Sequence, residues 1–415
     1  MKRVFFKTFG CRTNIYDTQV MMQNIRDFAI VDSEDSADIV VVNSCTVTNG
    51  ADGSVRGYIN SVANRDKKVI LAGCGAISKG EELKSQKKVF GVFGHSEKKN
   101  INSLLKSSKP FFELGDLTTV DESIVSNFAS YTKAFIKIQE GCDFACSYCI
   151  IPSVRGAARS LDEFKILKQI KTLADNGFGE FVLTGTNIGS YGKDTKSSIA
   201  KLLKKISLIK GVKRVRLGSL EPIQIDDEFK EILDENWMER HLHIALQHTN
   251  EQMLKMMRRR NSLKSDLELF WSISEKGYAL GSDFIVGHPG ESEKIWEDAR
   301  ENFKRFPLTH LHGFTYSDRD GTYSSKLKKD RVNGDIAKKR LKILQNIVKD
   351  NNLLFRKKYK KELLVLVEEK KDEFQAGYDQ FYNKIFIKSD KNLQKEWIVL
   401  SDYEVKSEGT YAKFI

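Results

Sequence analysis

Three cysteines lie close together in the segment EGCDFACSYCII, where Cys142, Cys146 and Cys149 have the spacing C-x3-C-x2-C. Structural zinc sites usually take four protein ligands, commonly as two pairs, so a compact triplet with no nearby fourth ligand fits zinc poorly. His95 is far away in sequence and would have to approach through the fold. An iron–sulfur cube held by three thiolates keeps one iron open to an external ligand. The spacing therefore favours a cluster that coordinates a substrate, and zinc remains the alternative.

The other three cysteines are distant in sequence but have similar neighbourhoods. Cys11, Cys45 and Cys74 end the β-rich runs RVFFKTFGC, ADIVVVNSC and KKVILAGC. Helical stretches follow at about 15–29, 52–65 and 97–106. This alternation predicts βαβ units in a parallel sheet, whose strands end at one common edge. We therefore expect the three cysteines to share a site, although a small buried core residue is the alternative for each.

After residue 132 the alternation continues with six β-rich runs, KAFIKIQ, EFVLTG, RVRLGS, LHIALQ, DFIVGH and LHGFTYS. Helical patterns separate them at about 161–176, 197–209, 226–236, 250–276 and 292–305. Six β/α units predict a partial (β/α)6 barrel of TIM type, with its chemistry at the carboxyl ends of the strands. The first of these strands leads directly to the clustered cysteines.

The last part of the chain changes to a run of short strands, ELLVLVEE, QFYNKIFIKS, EWIVLSDYEV and GTYAKFI. Strands without helices predict a small antiparallel β-barrel of oligonucleotide-binding type. Its aromatic residues could stack on bases or lie in its core: Phe374, Tyr378, Phe381 and Tyr382. The predicted domains are an α/β domain at 1–110, a linker at 111–131, the partial barrel at 132–355 and the β-domain at 356–415.

Composition excludes several classes of protein. A chain of 415 residues predicts two or three domains, and a hydrophobic fraction of 40% is enough for buried cores. No apolar run is long enough for a membrane helix, and the start MKRVFFKTFGCRTN has no secretory pattern. Six cysteines in this length favour thiolate ligation over a disulfide framework. We expect a cytoplasmic protein with no membrane partner.

Positive charge is concentrated in one segment. Residues 326–361 contain fourteen Lys and Arg against three Asp, a balance of +11 out of the net charge of +12. A basic segment beside a domain boundary is typical of a surface that binds a polyanion such as RNA. A solvated basic helix is the alternative.

Two histidine pairs offer a rival metal site. His241 and His243 alternate along one predicted strand, and His310 and His312 alternate along another, so the members of each pair share a face. Each pair could bind zinc, but histidines packed in or around a barrel core are the more common arrangement.

The segment CDFACSYC on the first strand of a partial barrel resembles the radical S-adenosylmethionine enzymes. Further segments, in the same order along the chain, are similar to motifs of the methylthiotransferases in that superfamily: CSYCIIPSVRG, LTGTNIGSYG, SLEP, LQHTNEQMLKMMRR, DFIVGHPGES and YSDRDGT. The resemblance implies that the three clustered cysteines hold a [4Fe–4S] cluster whose open iron binds S-adenosylmethionine. It also implies a second [4Fe–4S] cluster on the three amino-terminal cysteines and a carboxy-terminal RNA-binding TRAM domain.

The resemblance also implies a reaction. An electron cleaves S-adenosylmethionine, and the 5′-deoxyadenosyl radical takes hydrogen from an unactivated C–H bond of the substrate. Sulfur carried on the second cluster is inserted there, and another S-adenosylmethionine supplies its methyl group. The implied partners are tRNA rather than DNA, an electron donor such as flavodoxin or ferredoxin, and a sulfur source. The cofactors supply the difficult chemistry, while the protein positions them and excludes water.

By the same resemblance, S-adenosylmethionine binds at strand ends of the barrel that carry Thr184, Gly185, Glu221 and Gln247. A glycine there permits close approach of the backbone, and polar groups bind the ribose or the methionyl part. Two positions depart from the family pattern, in which a small residue and Phe are usual: His248 and His288.

The residues after the second cysteine distinguish the branches of the family. NSCTVTNGAD is closest to the branch that modifies C2 of N6-threonylcarbamoyladenosine at tRNA position 37, next to the anticodon. Branches that act on isopentenyladenosine or on a ribosomal-protein aspartate are the alternatives, and an RNA-binding protein with structural metal sites is an alternative of another class. Because the threonylcarbamoyl group carries a carboxylate, we expect Arg155 and Arg159 to bind substrate, with a barrel-rim ion pair as the alternative for Arg155.

Overall fold

The computed structural model describes residues 1–65, 67–121, 123–128, 131–359 and 361–414, except for the side chain of Lys329. Its first sheet contains the parallel strands β1 (Arg3–Thr8), β2 (Ala29–Ile30), β3 (Ile39–Ser44), β4 (Lys68–Gly73), β5 (Gly91–Phe93) and β6 (Phe111–Glu113). They pair in the order β2-β1-β3-β4-β5-β6. Strand β3 is buried along its whole length, as its apolar run predicts for a strand covered on both faces. The predicted parallel sheet is confirmed.

Helices lie on both faces of this sheet: α1 (Arg12–Gln23) and α4 (Ile101–Lys106) on one, and α2 (Asn49–Ala63) and α3 (Cys74–Ser85) on the other. Sequence reasoning did not predict α3, because glycines at 75 and 80 lower its helix propensity. The structure gives a reason for Gly75: a Cβ there would lie 2.6 Å from Ser44 Oγ. The glycine therefore lets α3 approach the end of β3.

The middle of the chain forms the predicted partial barrel. Its strands are β7 (Ala134–Lys137), β8 (Gln139–Glu140), β9 (Arg159–Ser160), β10 (Glu180–Thr184), β11 (Arg214–Leu217), β12 (His241–His243), β13 (Ala279–Val286) and β14 (Leu308–Thr315). Strands β7, β10 and β11 form one parallel sheet and β12, β13 and β14 another, while β8 and β9 pair antiparallel. Bridges such as Leu220–Ile244 join the two parallel sheets. The barrel order is therefore β7-β10-β11-β12-β13-β14, as six consecutive β/α units require.

The barrel helices are α5 (Ile151–Arg155), α6 (Glu163–Asp175), α7 (Ile199–Ser207), α8 (Asp227–Glu231), α9 (Glu251–Met256), α10 (Leu263–Glu275) and α11 (Glu293–Phe303). Helix starts are marked by a side chain that accepts a hydrogen bond from the backbone N–H three residues on: Asp162, Ser198, Asp226, Asn250, Ser262 and Ser292. These caps stabilise the first turns of six of the barrel helices.

Helix α1 packs against both the first sheet and the barrel. Met21 lies in the core of the first sheet, whereas Tyr16 and Val20 lie in the barrel core. The Tyr16 hydroxyl donates a hydrogen bond to the carbonyl of Ser123 at 2.9 Å. Because α1 begins directly after Cys11, this packing fixes the position of Cys11 relative to the barrel.

The segment predicted as a linker, 111–131, is partly structured. It begins with β6, and its residues Val125 and Phe128 are buried in the barrel core. Glu122, Ala129 and Ser130 lie outside the described residues. The segment thus packs against both of its neighbours, and the proposed domain boundaries stay predictions.

The carboxy-terminal part begins with helix α12 (Gly334–Lys358), which packs along β14. A curled sheet follows, made of β15 (Leu363–Lys371), β16 (Phe374–Tyr378), β17 (Lys384–Lys388), β18 (Trp397–Leu400), β19 (Glu404–Val405) and β20 (Thr410–Lys413). Its order is β18-β15-β16-β17-β20-β19, with β17 and β20 parallel and the other pairs antiparallel. Phe381 is a core residue of this sheet, whereas Tyr378 and Tyr382 stack with centroids 4.8 Å apart.

The basic segment 326–361 is only partly a solvent-exposed surface. Arg340 is buried and pairs with Glu291 at 2.6 Å, and buried Arg356 donates to the carbonyl of Lys406 at 2.9 Å. The basic side chains of α12 that are exposed are Lys338, Lys339, Lys342, Lys349, Lys357 and Lys358. Lys360 and the Lys329 side chain lie outside the described residues. Among the described helices, none is long and apolar enough to cross a membrane.

A buried ion network joins the barrel to the carboxy-terminal sheet. Arg214 and Arg216 on β11 both donate to Glu180, at 2.6 Å and 2.8 Å. Burial alone would raise the pKa of Glu180, but the two guanidinium groups lower it to about 2. Arg216 also donates to the Glu239 carboxylate. Other N–H groups of the two arginines donate to backbone carbonyls of the carboxy-terminal part: Leu364, Tyr378 and Asp379.

We expect Glu180→Gln to lower the melting temperature by roughly 6 °C or more. Breaking a buried ion pair typically costs about 3–5 kcal/mol, and 1 kcal/mol corresponds to about 2–4 °C in a domain of this size class. Scanning calorimetry measures the shift. The matched control is Glu301→Gln, because the exposed Glu301 pairs with Lys304 on the surface. Equal shifts in the two variants would contradict the prediction.

Candidate active site

The three amino-terminal cysteines lie at the carboxyl edge of the first sheet. Cys11 follows β1, Cys45 follows β3, and Cys74 follows β4. These strands are neighbours, with Thr8 paired to Asn43 and Ser44 paired to Gly73. The structure therefore brings the three cysteine loops together, as parallel topology predicts.

Two of these loops depend on glycine. Gly10 and Gly73 precede Cys11 and Cys74 with φ values of +97° and +85°, which a side chain rarely adopts. A Cβ on Gly10 would also lie 3.0 Å from Cys45 Sγ. Burial raises the pKa of Cys45 to about 11 and also raises the pKa of Cys74. Such thiols ionise when a bound metal group supplies compensating positive charge.

Arg155 connects this edge to the barrel. Its Nε donates to Cys74 Sγ at 3.2 Å, and its Nη1 donates to Asp17 Oδ2 at 2.9 Å and to Glu140 Oε1 at 2.5 Å. Its Nη2 donates to Asn14 Oδ1 at 2.6 Å, and the side chain is 2% exposed. The structure therefore favours the ion pair that was the alternative for Arg155 over the predicted contact with substrate.

Arg159 is also engaged by the protein. Its Nε donates to the carbonyl of Thr119 at 3.0 Å, and its Nη1 donates to the carbonyls of Arg155 at 2.8 Å and Ala157 at 3.0 Å. The guanidinium thus ties the loop after α5 to the segment before the barrel, and its role as a substrate ligand stays a prediction.

The clustered cysteines lie in the loop between β8 and α5, on the barrel rim. Cys142 Sγ accepts hydrogen bonds from the Phe144 backbone at 3.4 Å and from Asn187 Nδ2 at 3.5 Å. Cys146 Sγ lies 3.6 Å from Arg259 Nη1. Burial raises the pKa of Cys149 to about 12. N–H groups that point at a sulfur atom stabilise its thiolate form. Donors of this kind commonly surround the cysteine ligands of a metal site.

The residues predicted to bind S-adenosylmethionine surround this rim. Thr184 Oγ1 lies 3.1 Å from Thr13 Oγ1 of α1, and a Cβ on Gly185 would lie 2.7 Å from the Gln139 carbonyl. The backbone of Gln247 has φ of +65°. These positions stay predictions as cofactor ligands.

Glu221, also predicted to bind the cofactor, is paired with Arg259 through both carboxylate oxygens. Arg259 also donates to the carbonyl of Ala245 at 2.7 Å and approaches Cys146. Sequence reasoning missed Arg259, because 113 residues separate it from Cys146 and no local pattern indicates the contact.

The two histidines that depart from the family pattern are buried. His248 stacks on Phe284 with centroids 5.0 Å apart. His288 Nε2 lies 2.8 Å from Ser324 Oγ, which donates to Ser147 Oγ at 2.8 Å. Because Ser147 lies between two of the clustered cysteines, His288 supports the cysteine loop, and burial lowers its pKa to about 4.

A cavity of about 430 Å³, called the central cavity below, is lined by Cys11, by strand ends of the barrel and by Tyr382 of the carboxy-terminal part. Its wall contains Cys11 and Arg12 from the amino-terminal α/β part of the chain. It also contains Thr184 and Gly185 at the end of β10, and Tyr382 from the turn between β16 and β17. All three parts of the chain therefore contribute to one space.

The histidine pairs line this cavity. Strand β13 separates β12 from β14, and a Cβ on Gly281 of β13 would lie 2.7 Å from His243 Nδ1. The absence of a side chain at Gly281 lets His243 meet His312, with ring centroids 4.5 Å apart. Asp283 Oδ1 lies 3.1 Å from His243 Nε2 and 3.6 Å from His312 Nδ1. The pairs thus face the cavity instead of packing only in the barrel core.

The comparisons with known proteins identify the family of the chain. Residues 3–94 match the "Uncharacterized protein family UPF0004", and residues 136–302 match the "Radical SAM superfamily". The chain is 52% identical over 420 residues to the "Putative methylthiotransferase" of Helicobacter pylori strain J99, with 100% of both chains covered. It is 36% identical over 385 residues to the "Threonylcarbamoyladenosine tRNA methylthiotransferase MtaB" of Aquifex aeolicus, covering 88% of this chain and 93% of the relative.

Solved structures give the same fold. TsrM from Kitasatospora setae, a radical S-adenosylmethionine methyltransferase solved with cobalamin and a [4Fe–4S] cluster, has a TM-score of 0.59 at 15% identity. The match covers 78% of this chain and 77% of TsrM. The fold and site define a radical S-adenosylmethionine enzyme, which uses a [4Fe–4S] cluster and S-adenosylmethionine. Within that class, the chain belongs to the methylthiotransferase family.

We expect Arg155→Lys to weaken iron binding at the three amino-terminal cysteines by roughly 10–100-fold, the usual cost of losing a group that orients a metal ligand. A lysine keeps the charge but cannot donate to Cys74, Asp17 and Asn14 together. Iron retained after graded chelation is measured in a background where the three barrel cysteines are alanines. Arg331→Lys, at an exposed surface pair with Asp318, is the control. Unchanged iron retention would contradict the prediction.

Proposed function

We propose that this enzyme is a tRNA methylthiotransferase that inserts sulfur and a methyl group at C2 of N6-threonylcarbamoyladenosine at position 37. The observation that carries the proposal is the pair of three-cysteine sites joined by Arg155, with Cys11 in the wall of the central cavity. The MtaB relatives, named for this substrate, support the choice of branch.

Both cysteine triplets fit iron–sulfur clusters. Each offers three sulfur donors, and in each a protein N–H group is directed at a sulfur atom, from Arg155 to Cys74 and from Asn187 to Cys142. The barrel triplet would hold the cluster that binds S-adenosylmethionine, and the amino-terminal triplet would hold the second cluster. When bound, these cofactors supply the 5′-deoxyadenosyl radical and the sulfur.

The protein's own residues position the two sites and keep water out. Lys137 is fully buried and lies 2.8 Å from Asp17 and 3.0 Å from Glu140, the same carboxylates that pair with Arg155. Arg155 donates to Cys74, and Glu140 lies two residues before Cys142, so the network connects the two triplets through buried, paired groups. A fixed separation lets one substrate atom be approached from both sites without reorganisation of the protein.

A groove next to the central cavity is an argument for an RNA substrate. This groove of about 400 Å³, called the basic groove, lies between α12, β14 and the carboxy-terminal sheet, and includes Lys349, Tyr378 and Lys384. It shares His310 and Tyr382 with the central cavity. Basic side chains attract phosphates, and aromatic side chains stack on bases. A single-stranded loop held in the groove would place one nucleotide at the mouth of the cavity.

Iron content and product analysis test the proposal. The reconstituted protein should bind about eight irons, as two four-iron clusters require, and Cys74→Ala or Cys149→Ala should bind about four. Cys74→Ala should still release 5′-deoxyadenosine on reduction with S-adenosylmethionine, whereas Cys149→Ala should not. Nucleoside mass spectrometry of tRNA should show methylthio-threonylcarbamoyladenosine only with the unaltered protein.

Other outcomes identify the alternatives. Zinc in both triplets with no S-adenosylmethionine cleavage would indicate an RNA-binding protein with structural metal sites. Cleavage with methylthio-isopentenyladenosine as the product would indicate the other tRNA branch, and a modified ribosomal-protein aspartate would indicate the third.

We expect a Lys349→Ala/Lys384→Ala variant to bind tRNA more weakly and with less dependence on salt. Each phosphate contact that is lost should reduce the slope of log K against log[salt] by roughly 1. Filter binding at several salt concentrations measures the slope. The control is Lys171→Ala, an exposed α6 residue paired with Asp175. A slope equal to that of the control would place the RNA elsewhere.

A further inference from the structure

Arg12 is a cationic residue in the wall of the central cavity. It is the first residue of α1 and follows Cys11 directly. Its Nη2 donates to the Tyr382 hydroxyl at 3.2 Å, and its Nη1 reaches the carbonyl of Leu217 at 3.5 Å. These two contacts leave several of its five N–H donors free to bind a ligand.

The other charges of the cavity wall are compensated within the protein. Arg216 pairs with Glu180 at 2.8 Å and with Glu239. Glu239, a carboxylate of the wall, is thereby paired with Arg216. Among the described residues, no carboxylate forms an ion pair with Arg12, whose hydrogen-bond partners are a hydroxyl and a carbonyl. Glu239 acts on Arg12 only through the longer-range field, since its own ion pair is with Arg216. A half-buried guanidinium with no carboxylate at ion-pair distance favours an anionic ligand.

Tyr382 holds Arg12 in place from the opposite wall. Its backbone has φ of +64°, an uncommon conformation for a residue with a side chain. The turn is held by Asp379, whose Oδ1 accepts from the backbone N–H groups of Phe381 at 2.9 Å and Asn383 at 2.8 Å. The Tyr382 ring lies 5.7 Å from the Arg12 guanidinium. Strained backbone that is held by several bonds is typical of functional sites.

We propose that Arg12 binds the carboxylate of the threonylcarbamoyl group and so selects this substrate within the family. This inference rests on the proposed function. A guanidinium can bind a carboxylate through two parallel hydrogen bonds, a geometry that lysine cannot reproduce. Because Cys11 and Arg12 are adjacent and line one cavity, a base whose carboxylate contacts Arg12 shares that space with the Cys11 thiol.

The same contact explains rejection of an apolar substrate. An isopentenyl group has no hydrogen-bond acceptor. Its entry would remove solvent from the Arg12 guanidinium without supplying a hydrogen bond in return. A site built to bind a polar group rejects the analogue that lacks it, because the buried partner is left unpaired. Arg155 and Arg159, the cations expected from sequence to bind this carboxylate, do not line the cavity.

Binding of modified anticodon stem-loops tests the proposal. Reconstituted protein is titrated, by fluorescence anisotropy, with loops that carry threonylcarbamoyladenosine, isopentenyladenosine or unmodified adenosine at position 37. We expect the unaltered protein to prefer the threonylcarbamoyl loop over the unmodified one by on the order of tenfold or more. Arg12→Gln should remove this preference while changing the affinity for the unmodified loop less than about twofold, and Arg12→Lys should keep part of it.

Two further variants make the result specific. Tyr382→Phe removes only the hydroxyl that contacts Arg12 and should reduce the preference a few-fold without touching the helix that follows Cys11. Arg305→Gln, an exposed residue after α11 whose Nη1 contacts Asn302, should behave like the unaltered protein. Iron content and 5′-deoxyadenosine release are measured for every variant, so a disturbed cluster is recognised separately.

The outcomes separate this inference from the proposed function. If the unaltered protein methylthiolates threonylcarbamoyladenosine but Arg12→Gln keeps the preference, Arg12 is not the carboxylate ligand and the inference is overturned. The same holds if Arg12→Gln loses affinity equally for all three loops, or if it loses iron and Tyr382→Phe keeps the full preference. If the unaltered protein does not modify this nucleoside at all, the proposed function itself fails.

Discussion

The buried ion network around Asp17 determines the arrangement of the whole site. Asp17 Oδ1 lies 2.6 Å from Lys98 Nζ and 2.8 Å from Lys137 Nζ, and its Oδ2 accepts from Arg155. Burial opposes its ionisation, but these cations hold the pKa of Asp17 well below its usual range. Removing one partner from such a network leaves a buried charge uncompensated, which is strongly destabilising. Separating the first sheet from the barrel would therefore cost a large free energy. For this reason the two cysteine triplets keep their relative positions.

Because these parts are held together, residues from all three parts of the chain line the same site. The amino-terminal α/β part of the chain contributes Cys11 and Arg12 to the central cavity. The barrel contributes the histidines, and the carboxy-terminal part contributes Tyr382. Two buried networks hold these parts together, one at Asp17 and one at Glu180. Both consist of charges on strands or helices next to the site, so the elements that carry the chemistry are also the elements that dock the domains.

The sequence predicted what depends on local pattern and on parallel topology. Six β/α units and the meeting of three cysteine loops follow from alternation and from the common edge of parallel strands. Sequence could not give the partners of Arg155, because 138 residues separate it from Asp17 and 81 from Cys74. Nor could it separate the buried Arg340 and Arg356 from the exposed lysines around them, since burial of a cation depends on partners elsewhere in the chain.

The division of charge between surface and cavity has a consequence for substrate choice. Under the proposed function, the exposed lysines of α12 attract phosphates of any RNA, so they contribute affinity without sequence information. Discrimination must then come from groups that touch the modified base. Within the described cavity wall, Arg216 and Glu239 pair with each other, and the other side chains that can carry a positive charge are the histidines and Arg12. Histidines accept or donate single hydrogen bonds to many ligands, whereas the Arg12 guanidinium, which no carboxylate pairs with directly, would distinguish a carboxylate from an alkyl group by its charge.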